Sequence, residues 1–294
     1  MENQKYSSIA EAISRNTPTL FEPVQSSSVS GGCINQTSKL EGVDGRNFFV
    51  KQNDLDFLPF FQSEAIALQE IKETATIKVP EVIAHGTVDG NSFLVLEFIQ
   101  EGPPSKAGQT ELGRQLAELH KIEQPFFGWG KDNCIGATPQ PNPMSENWTE
   151  FYQTHRLQHQ FQLAERKGRR FERVDELLDG IDFFFQEYSP KPSLLHGDLW
   201  GGNASFDLHG KPFIFDPASY YGDRETDLAF TYMFGGFSRQ FYDGYQSVYP
   251  INDGFSQRKI LYNLYHELNH FNLFGGGYAN SAQSSIHSLI HYLA

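Results

Sequence analysis

His196-Gly197-Asp198-Leu199-Trp200-Gly201-Gly202-Asn203 sets an aspartate and an asparagine four residues apart. That spacing suits a loop in which a carboxylate accepts the proton of an attacking hydroxyl while a nearby side-chain oxygen holds a cation against phosphate. Asp198 offers the base and Asn203 the oxygen. Thirteen positions after Asn203 comes Asp216, in Phe213-Ile214-Phe215-Asp216-Pro217. Between them, Ala204-Ser205-Phe206 and Lys211-Pro212-Phe213-Ile214-Phe215 read as short strands around Asp207-Leu208-His209-Gly210, a hairpin with a Gly-containing turn. The hairpin predicts Asn203 and Asp216 side by side at one end, as ligands for Mg2+. The arrangement points to transfer of phosphate from ATP to a hydroxyl, with Asp198 as the catalytic residue.

Upstream, the same chemistry needs a cation for the phosphates. Lys51 lies in Arg46–Gln52, which reads as a strand with β-type residues on both sides. Glu64 begins a predicted helix, Glu64–Lys72, in which Ala67, Leu68 and Ile71 follow at i+3, i+4 and i+7. Glu64 then faces inward, where a carboxylate needs a partner, and Lys51 would pair it and reach the phosphates. The other reading is a solvated residue at a frayed helix start. Ser26–Asn35 is the candidate phosphate-covering loop, with Gly31 and Gly32 adjacent rather than spaced as G-x-G-x-x-G; a Ser/Gly hairpin turn is the plainer reading. Backbone around Glu97 and Ile99 is where adenine contacts are expected. No G-x-x-x-x-G-K-[ST] occurs.

The wider pattern agrees. Residues 1–20 start with a short helix, 20–99 are strand-rich, and Phe93–Ile99 reads as a buried strand. Gly102-Pro103-Pro104 marks a boundary. Helices are expected at Thr110–Lys121, Trp148–Arg166, Arg173–Tyr188, Arg258–Phe274 and about 281–293, with a long Pro- and Gly-rich loop over 124–147. The fold class expected is α+β: a bilobal protein-kinase-like fold, with an antiparallel-sheet nucleotide-binding lobe over 1–100 and a mainly helical catalytic lobe over 101–294.

Composition narrows the partners. A net charge of -13 argues against nucleic acid or an anionic membrane surface. Two cysteines, Cys33 and Cys134, are too few for a disulfide scaffold and fit a reducing compartment. No signal peptide or membrane span is read, so a cytoplasmic protein is expected. A monomer or a dimer fits. Cys33, in the phosphate-covering loop, is the one candidate for redox control or a redox-linked dimer, because backbone amides there favour a thiolate; a small loop thiol without a role is the alternative.

Taken together these residues resemble the fructosamine kinase (ketosamine-3-kinase) family, within the wider protein-kinase-like and aminoglycoside-phosphotransferase-like group. The resemblance runs through Gly31–Asn35, Phe49-Val50-Lys51, Phe61–Leu68, Gln115–His120, Phe127-Gly128, His155-Arg156-Leu157, Leu195–Asn203, Asp216-Pro217-Ala218, Met233–Phe237 and Leu268–Asn272. Trp200 and Asp-Pro-Ala, where a protein kinase has Asp-Phe-Gly, are its specific part. It implies phosphorylation of the 3-hydroxyl of ketosamines, fructosamine or ribulosamine adducts on amines, as a deglycation repair. Trp200 is then a platform for the sugar, or else a core aromatic; apart from any zinc role, His266 and His270 read as packing or substrate contact in the helical lobe, with His270 the substrate candidate.

Competing readings remain in the sequence. A choline- or aminoglycoside-type hydroxyl kinase shares His-Gly-Asp-x-x-x-x-Asn. His266-Glu267-Leu268-Asn269-His270 matches H-E-x-x-H of a zinc hydrolase; no Asp or Glu follows Glu267 to supply the usual acidic third ligand, which leaves His287 and His291 as candidates. His120 reads as a satisfied core histidine. His196 reads as a brace for its loop. Asp227 reads either as an anchor or as a solvated helix start.

Overall fold

The computed structural model describes residues 2–29 and 34–293. Its contacts divide the chain into two compact units, Met1–Pro104 with Ser205–Asp216 and Ser105–Ala204 with Pro217–Ala294. Where the sequence suggests one cut after residue 100, the chain crosses between units three times.

The first unit is built on one antiparallel sheet. β1 (Pro23–Ser28), β2 (Gln36–Gly42), β3 (Asn47–Asp54), β4 (Val82–Val88) and β5 (Asn91–Glu97) pair in the order β1-β2-β3-β5-β4. Side chains alternate along a strand, and β3 uses this to separate two tasks. Phe48 and Val50 join Phe21, Leu40, Phe93 and Val95 in a core closed by Ile9 and Ile13 of α1 (Glu2–Asn16). Lys51 therefore emerges on the opposite face, opposite Leu94 of β5, where α2 (Leu58–Glu73) buries Phe61, Ala65, Leu68 and Ile71.

The predicted hairpin forms from β9 (Ala204–Phe206) and β10 (Pro212–Ile214). The Gly102 N–H donates to Phe206 O at 2.8 Å and the Ile214 N–H to Lys78 O at 3.0 Å, so its strands pack with the first unit.

The second unit carries α3 (Lys106–Leu119), α4 (Trp148–Tyr152), α5 (His159–Arg166), α6 (Val174–Asp179), α7 (Glu225–Thr231), α8 (Arg239–Val248), α9 (Phe255–Phe274) and α10 (Tyr278–Leu293). Short strands β6 (Asn133–Ile135) and β7 (Thr138–Gln140) make a hairpin inside the expected 124–147 loop, and β8 (Ser193–Leu194) pairs with β11 (Tyr221–Gly222). Among the described residues no helix is long and apolar enough to cross a membrane.

Two predicted helices are interrupted. Trp148–Arg166 contains a π turn at Gln153–Gln158 between α4 and α5. The widened turn aims Arg156, fully buried, at Pro141 O and Asn142 Oδ1, each 2.7 Å away, with its guanidinium 4.0 Å from the Tyr220 ring. Arg173–Tyr188 breaks at Gly180 into α6 and a 3-10 turn, Ile181–Phe185, as the poor helix propensity of glycine allows.

α8 was not read from the sequence, and α7 only as a helix start in one of the two readings of Asp227. α8 crosses α3 at two facing glycines. A Cβ at Gly113 would lie 2.0 Å from Phe241 O, and one at Gly244 would lie 2.2 Å from Thr110 O. Gly244→Ala should therefore destabilise the protein by about 2 kcal/mol through overpacking, although the same change in an exposed helix gains stability. Urea unfolding midpoints would check this; an unchanged or raised midpoint would show that the two helices can separate at no cost.

Candidate active site

The Asp198 loop is built on a buried carboxylate. Asp227, in α7 and 2% exposed, accepts the His196 N–H at 2.7 Å and the Gly197 N–H at 2.8 Å. His120, at the end of α3 and fully buried, contributes Nε2 at 3.1 Å, and its Nδ1 lies 2.8 Å from the Tyr245 hydroxyl. These partners assign the tautomer: Nε2–H donates to Asp227, and Nδ1 accepts from Tyr245. Burial pushes the His120 pKa down despite Asp227, so the ring is neutral. Burial alone would raise the Asp227 carboxyl, but His120, His196 and the Gly197 amide outweigh it and hold it below the ordinary carboxylate range.

Two adjacent N–H groups can reach one carboxylate only if the chain turns sharply. Gly197 makes the turn at φ +83°, and a Cβ there would fall 2.1 Å from Ala218 O. The Ala218 N–H donates to His196 O at 2.8 Å, and the Asp198 N–H donates to His196 Nδ1 at 3.2 Å. The half-buried Asp198 follows directly. Asn203 Nδ2 donates to Asp198 O at 2.9 Å and to Asp198 Oδ2 at 3.2 Å. Its amide hydrogens thus go to Asp198, and its carbonyl oxygen is what Asn203 can give a cation.

In the first unit, Lys51 Nζ lies 2.7 Å from Glu64 Oε1 and 2.5 Å from Asp216 Oδ1. The Lys51 side chain is 3% exposed and that of Asp216 is 38% exposed. Burial alone would lower the Lys51 pKa, but the Asp216 and Glu64 charges outweigh it and raise it. Burial pushes Glu64 up, and the Asp216 charge adds to this against the pull of Lys51. Lys51 is therefore an ammonium shared by two carboxylates. Asp216 has φ +57°, a left-handed conformation uncommon for a side-chain-bearing residue.

Of the adenine candidates, Glu97 closes β5; its N–H donates to Glu81 O at 2.8 Å and its side chain accepts from the Glu81 N–H at 3.2 Å. Ile99 lies half-buried just beyond the strand. Gly31, Gly32 and Cys33 lie outside the described residues.

Trp200 is 39% exposed, which removes the core-aromatic reading, and its ring meets Phe234 edge-on at 6.0 Å. His270 lies on α9 with Nδ1 2.7 Å from His266 O. The H-E-x-x-H residues do not converge on a metal. The His266 ring stacks on Phe230 at 3.6 Å, and burial pushes the Glu267 carboxyl up to about 7. Among the described residues no group of three or more His, Cys, Asp or Glu could hold a metal ion.

The sequence left Asp227 open between anchor and solvated cap; the structure shows the anchor. It gave no hint of the polar core beside the loop. There Gln140 Nε2 donates to Ala218 O at 3.1 Å, Asn133 Nδ2 to Ser219 O at 2.8 Å and the Tyr265 hydroxyl to Gln140 Oε1 at 2.6 Å. For the Asp227 anchor the one available signal was His120, a polar residue that follows Leu116 and Leu119 on its helix and bonds Asp227 and Tyr245.

The sequence profile of the fructosamine kinase family matches residues 5–292. A protein of Synechocystis sp. named probable ketoamine kinase is 46% identical over 283 residues, 96% of this chain and 95% of its own. The chloroplastic protein-ribulosamine 3-kinase of Arabidopsis thaliana is 42% identical over 272 residues, 90% of this chain and 82% of its own. A crystal structure from Haemophilus somnus 129PT, named for a fructosamine-3-kinase, superposes with a TM-score of 0.91 at 29% identity, over 98% of both chains. A choline kinase structure from Streptococcus pneumoniae shares the fold alone, with a TM-score of 0.65 at 16% identity over 98% of this chain and 100% of its own. The chain belongs to the fructosamine kinase family. Its α+β fold is protein-kinase-like, and it is a phosphotransferase with an alcohol group as acceptor.

Asp227→Asn should lower stability at pH 7 by about 3 kcal/mol, because one backbone N–H then faces an amide instead of a carboxylate. The pH dependence follows from the sign of the shift. The folded-state pKa of Asp227 is depressed, so its contribution is present above the unfolded value of about 3.9 and is lost as pH falls through the folded value. The stability gap between wild type and variant should therefore shrink on acidification from pH 7 to about pH 3. Urea titrations across that range would test it; a gap independent of pH would remove Asp227 as a charged anchor.

Proposed function

We propose that this protein is an ATP-dependent kinase that phosphorylates the 3-hydroxyl of ketosamines, sugar adducts such as ribulosamines or fructosamines on amines. The observation that carries the reading is the Asp198–Asn203 pair, fixed on Asp227, in a chain whose relatives are named ketoamine kinase and protein-ribulosamine 3-kinase.

Each residue has a task in this reading. Asp198 accepts the proton of the sugar hydroxyl and aims its oxygen at the γ-phosphate. Asn203 keeps the Asp198 carboxylate from rotating. Lys51, set by Glu64, grips the phosphates. Backbone at Glu97 and Ile99 receives adenine, and the Gly31-Gly32 loop covers the phosphates. Trp200 offers its ring to the apolar face of the sugar, and His270 contacts the substrate.

The donors assigned to Mg2+ are the Asn203 carbonyl oxygen and the half-exposed Asp216 carboxylate, a hard-oxygen set that suits the ion. Bound there, Mg2+ would neutralise charge on the β- and γ-phosphate oxygens. The product, a ketosamine 3-phosphate, is unstable and releases the amine, which makes the activity a deglycation repair.

The test is ADP release from Mg-ATP with a ribulosamine or fructosamine of lysine. Turnover should require the ketosamine. Asp198→Asn should lose about a thousandfold in kcat with nucleotide binding retained. Normal turnover in that variant would overturn the assignment of the base. Asp216→Ala should weaken Mg-ATP binding, read by calorimetry with and without magnesium; unchanged affinity would remove Asp216 from the metal set.

A further inference from the structure

The strand pairing that leads into the Asp198 turn stops one pair early. β8 and β11 set Leu194 opposite Tyr221, and the Leu195 N–H donates to Tyr220 O at 3.1 Å. In that register the next hydrogen-bonded pair would join Gly197 and Ala218. It does not form. The Gly197 N–H goes to Asp227, and the Ala218 N–H goes to His196 O. Ala218 O, pressed against Gly197, thus loses the donor that the pairing would supply.

A buried carbonyl in that position needs another donor. Gln140, 1% exposed at the end of β7, supplies it: Nε2 donates to Ala218 O at 3.1 Å. The next carbonyl, Ser219 O, accepts from Asn133 Nδ2 of β6 at 2.8 Å.

An amide side chain can turn either end to a partner, and its neighbours decide which. Here the decision starts at Arg156, whose guanidinium donates and cannot accept. Arg156 Nη2 donates to Asn142 Oδ1 at 2.7 Å, so Asn142 turns its nitrogen to Asn133 Oδ1 at 2.9 Å. Asn133 then has Nδ2 for Ser219 O. Its Oδ1 also accepts from Gln140 Nε2 at 2.9 Å, which leaves Gln140 Oε1 for the Tyr265 hydroxyl at 2.6 Å. Arg156 itself is fully buried, and the oxygens it bonds, Pro141 O, His155 O and Asn142 Oδ1, are carbonyls. A charge kept in the core without a counter-charge is costly. Giving this chain of amides its direction is a reason for it to be there.

We propose that Gln140 is a positioning residue for Asp198, and that Arg156 acts through Asn142 and Asn133 to fix the direction of the Gln140 amide. The inference rests on the reading of Asp198 as the base. Asp227 holds the turn by its N–H groups, and Gln140 holds the carbonyl on which Gly197 rests. Without Gln140, Ala218 O competes with Asp227 for the Gly197 N–H, and Asp198, the next residue, loses its fixed direction.

The experiment compares full-length wild type with Gln140→Met, Arg156→Met and Tyr265→Phe. ADP release from Mg-ATP with a ribulosamine of lysine gives kcat and KM, and residue-resolved hydrogen exchange gives the protection of the Gly197 amide. Gln140→Met and Arg156→Met keep an apolar stem and remove the donors. Each should lower kcat about tenfold with both KM values held within about twofold, and should speed Gly197 exchange about tenfold relative to amides of α10. Tyr265→Phe removes a bond at the far end without reversing any amide, so its kcat should fall less than about threefold. Unchanged kcat in Gln140→Met, a loss taken equally by kcat and KM, or exchange that rises equally throughout the second unit would overturn the positioning role. A loss in Tyr265→Phe as large as in Arg156→Met would overturn Arg156 as the source of direction. Wild type that turns over no ketosamine would overturn the ketosamine reading alone, and Gly197 exchange would then decide for or against the Gln140 clamp.

Discussion

A carboxylate taken out of water must be given back its hydrogen bonds by the protein, and Asp227 takes two of its three from consecutive backbone amides. That demand shapes the Asp198 loop. The amides of His196 and Gly197 can turn to one acceptor only with Gly197 in a left-handed conformation pressed against Ala218. Asp198 then leaves the turn in a fixed direction. The third bond, from His120, brings in α3 and, through Tyr245, α8. Arg224 extends the same chain, donating to the Tyr245 hydroxyl at 3.1 Å and to Pro250 O at 2.6 Å. Helices far apart in sequence are thus held by polar groups that each need the next.

Charge is arranged differently around Lys51. One ammonium faces two carboxyl groups, and burial pushes that of Glu64 up to about 7, so above that pH the cluster carries a surplus of negative charge in a largely buried place. Such an arrangement favours a further cation, and it differs from a structural ion pair, where the charges balance. Asp216 adds a second sign. Its positive φ costs of order 1 kcal/mol and persists only where the surroundings hold it. The Lys51 contact at 2.5 Å is one such hold. By contrast Arg258 and Glu225, 4% and 0% exposed, pair one to one in two bonds of 2.6 and 3.1 Å. That pair ties α9 to α7 and carries no exposed oxygen for a ligand.

What could be read from the sequence was local. The hairpin between Asn203 and Asp216 follows from turn chemistry and two short β-type runs. The Lys51–Glu64 pair follows from a helical face that would otherwise bury a lone carboxylate. The rest depended on partners distant in sequence. Asp223-Arg224-Glu225-Thr226-Asp227 has the composition of a solvated helix start, yet all five are buried because Tyr188, Tyr262, Arg258, Tyr245 and His120 come from elsewhere to meet them. The π turn in Trp148–Arg166 was illegible for the same reason: Arg156 lies on a face that is polar in sequence and becomes core only when Pro141, Asn142 and Tyr220 close over it. The hairpin shifted the domain boundary because its strands find their bonds at Gly102 and Lys78, which no local pattern announces.

The H-E-x-x-H string shows why spacing alone is weak evidence for a metal. Any helix aligns i and i+4, and two histidines so placed make a site only if their nitrogens are available on the same side as a third donor. Here His270 spends Nδ1 on its own helix and His266 lies flat on Phe230. What the spacing does achieve is an aromatic stripe that runs from the core out to Phe274. A histidine kept neutral by burial behaves in that stripe as a ring with one acceptor nitrogen. A flat apolar face with one acceptor nitrogen is a combination that phenylalanine does not offer.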